Sequence, residues 1–256
     1  MKKLAITLFL LGAFFVNAQE TNDDQDQPKE VPNDFLDIFD SSRSERAVQT
    51  QTKLVLAIGW NQALGDGNGI GDDYRFWGSG IFELGVEFSS RLLSNDKLRL
   101  SYGFSMQSQT LRITNNRQFE TTNDITSLQP VGFDVDKSKF EQISLIVPVH
   151  LEIGRGEVKT FKDGITRMVH DDSFIFGIGG YLGINGSTSQ FLEFERNDRD
   201  ISNRLYNDFE MENFLYGLSA YAGAGSAQIF VKYGLNSIFK NSPVDQQYAS
   251  IGFRFK

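Results

Sequence analysis

The 256-residue sequence contains no cysteine. That excludes disulfides and the lipid-attachment cysteine of a lipoprotein. Proline is scarce, at 5 residues, whereas Gly numbers 24 and Phe 23, a composition that favours strands and turns over helices. Basic residues are in deficit, 25 Lys and Arg against 33 Asp and Glu. With a net charge of -8 and no basic stripe to neutralise phosphates, nucleic acid is not an expected partner. After Val16 no apolar run approaches the ~20 residues that a spanning helix needs. Histidine is limited to His150 and His170, which leaves little for general-base chemistry.

What is present begins with "MKKLAITLFLLGAFFVNAQE". A basic start (Lys2, Lys3), an apolar run from Leu4 to Val16 and the small-residue site Val16-Asn17-Ala18 follow the order of a secretory signal peptide. Residues 1–18 are therefore expected to be removed on export. Residues 19–50 open on the acidic "ETNDDQDQPKEVPND" and are expected to form a flexible periplasmic segment. Within it, "NDFLDIFDSSRSER" suits a short helix with Phe35, Leu36, Ile38 and Phe39 on one side, capped by Asn33 or Asp34. Its two readings are a docking peptide for a periplasmic partner and, alternatively, a helix resting on the barrel's rim or a plain linker.

From residue 51 onward the dominant signal is alternation with a period of two. Leu54, Leu56, Ile58 and Trp60 oppose Lys53, Val55, Ala57, Gly59 and Asn61. Phe82, Leu84, Val86 and Phe88 oppose Glu83, Gly85 and Glu87. Six further segments repeat the scheme, near residues 98–109, 142–153, 174–184, 214–223, 228–236 and 248–256. Connections 62–78, 113–139, 185–212 and 237–247 are long or polar, and those after segments two and six are tight. The connection 154–172 breaks this rhythm and is expected to be an extended hairpin or a flexible turn.

An even strand count, with long loops at one end and short turns at the other, is the layout of bacterial outer-membrane barrels with both termini in the periplasm. The polar face is rich in Gly and Ser, which suit a crowded interior; the other face carries Phe, Leu, Ile and Tyr almost without charge. The expected fold over 51–256 is all-β, an eight-stranded antiparallel up-and-down transmembrane β-barrel, with a secreted lipocalin-like barrel as the alternative. The last stretch, "YASIGFRFK", would close the wall against the first strand, because a closed barrel leaves no edge. Phe253 and Phe255 are then expected to face lipid, and Arg254 the lumen. This ending is also similar to the signal read by the outer-membrane assembly machinery, although Lys256 follows the last aromatic.

The eight-strand pattern, the "NAQ" after the apolar run, the missing cysteines and the "IGFRFK" finish resemble the PorT-like outer-membrane β-barrel family of Gram-negative bacteria, over roughly residues 50–256. The resemblance implies the barrel fold and, for some members, service to a secretion system that exports proteins across the outer membrane. It implies no catalytic residues.

Three sets of residues are candidates for function. Lys53, Glu83, Glu87, Arg99, Glu152, Lys232 and Arg254 fall on the inward face. An eight-stranded barrel has an interior just wide enough for its side chains. Mixed charge there is expected to pair into a plug, since an unpaired buried charge is costly; an ion or proton path is the other reading. Asp66, Asn68, Asp72 and Asp73 in "GDGNGIGDDYRFW" have the oxygen ligands and glycines of a calcium-binding loop, but lack the distant Glu of an EF-hand. A plain flexible loop is the competing reading, and no other cofactor is implied. His150 is expected to be a structural residue, and His170, beside Asp171 and Asp172, a solvated turn residue, so no enzymatic activity is expected. Expected partners are outer-membrane lipid, the assembly machinery and a secretion-system or periplasmic protein. The acidic, aromatic stretch "FLEFERNDRDISNRLYNDFEMEN" could meet lipopolysaccharide through divalent cations, or a partner protein. The expected function is structural, scaffolding or secretion-accessory, with a narrow channel for ions or small solutes as the alternative.

Overall fold

A computed structural model describes residues 50–67, 70, 72–92, 97–154, 157–160, 166–169, 174–243 and 245–256. The expected signal peptide, the 19–49 stretch with its helix, Asn68 and His170 with its two aspartates lie outside the described residues.

Thirteen strands follow in chain order: β1 (Thr50–Gly65), β2 (Tyr74–Arg91), β3 (Leu98–Ile113), β4 (Arg117–Thr122), β5 (Ile125–Pro130), β6 (Lys137–Gly154), β7 (Glu157–Thr160), β8 (Thr166–Val169), β9 (Phe174–Glu195), β10 (Asp200–Tyr206), β11 (Phe214–Ala224), β12 (Ala227–Gly234) and β13 (Gln246–Phe255). Eight of them form the wall, in the antiparallel cycle β1-β2-β3-β6-β9-β11-β12-β13. The seam closes where β13 pairs with β1, from Leu56 opposite Phe255 to Gly65 opposite Gln246. Stepping across hydrogen-bonded partners from Thr52 through Phe88, Tyr102, Val149, Gly180, Leu218, Tyr233 and Ala249 leads back to β1 at Gln62, ten residues further along. A stagger of that size in eight strands requires them to tilt by about 35–45° from the barrel axis.

The period-two pattern has a direct spatial counterpart. Leu54, Met106, Leu145, Ile178, Leu218 and Ile251 point away from the barrel and are about half exposed or more. Their neighbours Val55, Gln107, Ser144, Ser219 and Ser250 are buried inside. A barrel that hides its polar face and presents a continuous aliphatic and aromatic wall is a transmembrane barrel, since hydrocarbon is the only surroundings that such a wall suits. Aromatic rings mark both rims of the wall. At the turn end Phe88 meets Tyr102 at 5.7 Å; at the loop end Phe76 stacks on Trp60 at 5.7 Å, and Trp77 packs edge-on against Phe76 at 5.5 Å.

Several strands run beyond the expected limits. β1 continues to Gly65, β3 to Ile113 and β9 to Glu195, so the stretches expected as loops 62–78, 113–139 and 185–212 are partly strand. Hairpin β4–β5 fills the second of them, and β10 folds back on the loop-end half of β9. Above the membrane both faces of a hairpin can be polar, and the alternation that betrays a strand then fades. β9 also carries a bulge at Gly186, opposite Ile143 and Ser144, which resets its phase and turns Thr188 and Gln190 inward. In the irregular 154–172 connection, β7 and β8 form a hairpin.

Candidate functional site: a filled lumen and its loop-end mouth

The lumen is organised in tiers set by which inward positions carry charge. At the turn end, the carboxylates come from β2 and β6 and the cations from β13 and the residue that follows it. Glu87 accepts from Arg254 and, at 3.4 Å, from Lys256; Glu152 accepts from Lys256 and, at 2.8 Å, from the Tyr221 hydroxyl. The Arg254 guanidinium lies 4.1 Å from the centroid of the Tyr221 ring, and Lys256 Nζ 5.2 Å from it, so both cations also meet its negative face. Tyr221 can stand at this crossroads because Gly177 is its neighbour on β9, where any Cβ would collide with the ring.

Half-way up, Lys232 of β12 crosses the lumen to Glu83 of β2 and donates a second hydrogen bond to Gln107 Oε1 at 3.0 Å. Its Nζ lies 5.2 Å from the centroid of the Tyr181 ring. Above this pair, Asn61 Oδ1 accepts from Gln109 (3.2 Å) and Ser250 (2.8 Å), continuing the polar fill.

The mouth at the loop end is different. Phe119 from β4, Phe209 and Met211 from the β10–β11 connection, and Ile238 and Phe239 from the β12–β13 connection pack on Leu111, Phe140, Tyr74 and Tyr248 at the tops of the strands. Phe119 touches Phe140 and Phe239 with ring centroids at 4.7 and 4.9 Å, and Phe140 meets Phe209 at 5.3 Å. Polar ties hold the lid in place. Phe119 N donates to Gln190 Oε1 (2.8 Å), Thr126 Oγ1 to Phe209 O (2.7 Å), and Tyr74 Oη to Gln246 Oε1 (2.8 Å).

Apart from Asn68, which lies outside the described residues, each expected residue has a definite place. Glu83 with Lys232, Glu87 with Arg254, and Glu152 come together as charge-paired tiers. Arg99 donates from Nε to Ser89 Oγ (2.9 Å) and from Nη2 to Ser89 O (3.0 Å). Lys53 lies opposite Glu87 in the β1–β2 register, yet no ion pair joins them, because Arg254 and Lys256 hold that carboxylate. Lys256 is the network member that sequence reasoning left out. It shares the parity of Arg254, which was the available signal. In the calcium-like loop, Asp73 is buried and paired with Arg117 of β4 at 2.7 Å, while the Asp72 carbonyl accepts from Thr114, Asn115 and Arg117. Asp66 lies at the opposite side of the loop, where its backbone bonds Asp245 and Gln246. Among the described residues, no three His, Asp or Glu side chains converge as a metal would require.

No family model matches the chain, and no curated protein matches it. Among solved structures it is similar to Ail, the attachment invasion locus protein of Yersinia pestis, at 12% identity and a TM-score of 0.30, covering 80% of this chain and 97% of that one. A second structure of Ail, in complex with the heparin analogue sucrose octasulfate, matches at 9% identity and a TM-score of 0.28, covering 81% of this chain and 99% of that one. Likeness this distant leaves the chain's own strand register and surface as the ground for its fold.

Chemically, the interior can bind charge but offers little space. The voids beside His150 and beside Tyr248 measure about 20 and 10 Å³, room for roughly a single water each. His150 Nε2 shares a 2.6 Å hydrogen bond with Ser219 Oγ, and its ring stands edge-on to Tyr221 at 5.0 Å. A nucleophilic serine needs a histidine oriented by a third group. His150 Nδ1 has no hydrogen-bond partner among the described residues, and the adjoining void is too small for an acyl chain.

Proposed function

We propose that this protein is an outer-membrane barrel with its long-loop end outward and both termini in the periplasm. It acts as a closed scaffolding or structural component that engages other envelope molecules through its loops, in keeping with a secretion-accessory role. The observation that carries this reading is the filled lumen: among the described residues, charge-paired tiers occupy it below and an aromatic lid covers it above. The resemblance to the PorT-like family points the same way. So does β10, whose seven residues are all exposed and which, among the described residues, pairs on one side only, with β9. An unpaired strand edge is a ready template for a partner strand.

Planar-bilayer recording of the purified protein tests the closed state. No steady conductance is expected above the bare bilayer, and stable ohmic currents would overturn the scaffold reading in favour of a channel. Orientation is tested separately on intact cells. A cysteine replacing Asn123 or Asn203 should react with a membrane-impermeant maleimide, whereas one replacing Ser226 in the β11–β12 turn should not.

A further inference from the structure

Arg75, Arg112 and Lys139 stand side by side on three neighbouring wall strands, Arg75 opposite Arg112 and Arg112 opposite Lys139. Their chain neighbours Tyr74, Leu111, Ile113 and Phe140 are buried in the mouth, so all three cations share the outward face. Among the described residues none of the three makes a side-chain hydrogen bond or an ion pair; three nearby carboxylates are engaged elsewhere, and that of Asp136, in the adjoining cleft, pairs with none of the three cations. Glu141 takes Arg204 (2.9 Å) and Ser108 (3.2 Å), Glu193 takes Lys137 (3.3 Å), and Asp73 takes Arg117. Like charges directly opposite one another in a sheet repel. A bare row of three therefore calls for an anion.

The level of the row says which anion. Along β6 the outward face reads Lys139, Glu141, then Ile143, Leu145 and Val147, so the cations sit where the wall changes from charged to apolar. Trp60, Phe76 and Trp77, the loop-end rim, lie beside them. Residues 76–79 form an irregularity in the β2–β3 register that binds the two arginines together. Ser79 Oγ donates to Arg75 O (2.6 Å) and accepts from Arg112 N (2.8 Å). Gly78, at φ +96°, lets the Arg112 side chain pass over it; a Cβ there would lie 2.7 Å from Arg112 Cδ. A cleft of about 340 Å³, to which Asp136 also contributes, adjoins Arg75 and Arg112.

We propose that this row binds the phosphate groups of a glycolipid headgroup in the leaflet at the loop end of the barrel, with the two arginines as bidentate ligands and Lys139 as a third positive charge. The assignment of that leaflet rests on the orientation proposed above; the affinity itself does not.

The test uses the full barrel refolded in zwitterionic micelles, titrated with a bis-phosphorylated glucosamine-disaccharide lipid (lipid A) and followed by tryptophan fluorescence. Saturable binding is expected. The triple variant Arg75→Gln, Arg112→Gln, Lys139→Gln should bind at least about tenfold more weakly, as removal of charge-assisted hydrogen bonds implies. The dephosphorylated lipid should bind as weakly to the unmodified barrel, and millimolar inorganic phosphate should not compete. Equal binding by the variant or by the dephosphorylated lipid would overturn the proposal, and competition by inorganic phosphate would reduce it to a free-anion site. Should the triple variant fail to refold, Lys139→Gln alone decides: a severalfold loss is expected, and unchanged affinity overturns the proposal. Micelles have no sides, so a negative result here leaves the orientation to the cell-labelling experiment.

Discussion

Replacing Lys232 by Met would leave Glu83 without its cation in the middle of the lumen. Both side chains are nearly inaccessible, at 9% and 5% exposure, and the pair links β12 to β2 across the barrel rather than along the wall. Removing one member of a buried pair costs about 3–5 kcal/mol, because the remaining charge has already left water. Gln107 would also lose its donor. With a urea dependence of about 1–3 kcal/mol per molar, the unfolding midpoint of the micelle-refolded barrel should fall by roughly 1–5 M. The control is the double replacement Glu83→Gln with Lys232→Met, which removes both charges and keeps a group able to hydrogen-bond. Replacing a whole buried pair is often neutral, so most of the loss should be recovered, to within about 1 kcal/mol of the unmodified barrel. Tryptophan fluorescence against urea, checked by the mobility difference between unboiled and boiled samples, reads both variants. A single variant within about 0.5 kcal/mol of the unmodified protein, a loss below that of a typical buried-pair break, would refute the cross-lumen tie.

Gly177→Ala should displace the Tyr221 ring and loosen Glu152, Arg254 and Lys256 together, at a cost of about 1–3 kcal/mol in the same unfolding assay, as overpacking usually exacts. Phe253→Asp sets a carboxylate against lipid near the turn-end rim and should cost about 1 kcal/mol or somewhat more. Because β13 closes the seam with β1, its main symptom should be a reduced yield of heat-modifiable barrel on refolding. Arg254→Gln should refold to normal yield and lower only the unfolding midpoint. The opposite outcome for these two variants would reverse the facing of β13.

The wall was legible in the sequence because membrane barrels impose one rule on every residue of a strand, lipid outside and lumen inside, and Leu54 to Asn61 or Phe214 to Gly223 obey it without interruption. Charge at inward positions was legible for the same reason. Partners across the lumen were not, since Lys232 meets Glu83 across 149 positions of sequence and only the closed stagger brings them together. Asp73 looked like a metal ligand by its spacing, but Arg117, far along the chain, holds it. The aromatic lid also left no periodic trace. Phe119, Phe209 and Phe239 belong to hairpins and loops, and their convergence follows from how those connections fold over the mouth. Gly186 shifted the phase of β9 by a single residue, a change that alternation alone reads as the end of a strand.

The central claim is that the aliphatic and aromatic face of each wall strand lies in hydrocarbon while its alternate residues fill a closed interior. Spin labels placed one at a time from Leu215 to Ala222 on β11, in protein reconstituted into lipid vesicles, measure this directly through relaxation by oxygen and by a water-soluble nickel chelate. Labels at Tyr216, Leu218, Ala220 and Ala222 should show high oxygen and low nickel accessibility, alternating with labels at Leu215, Gly217, Ser219 and Tyr221 that are shielded from both. High nickel accessibility at Leu218 and Ala220, or loss of the two-residue alternation, would contradict the account.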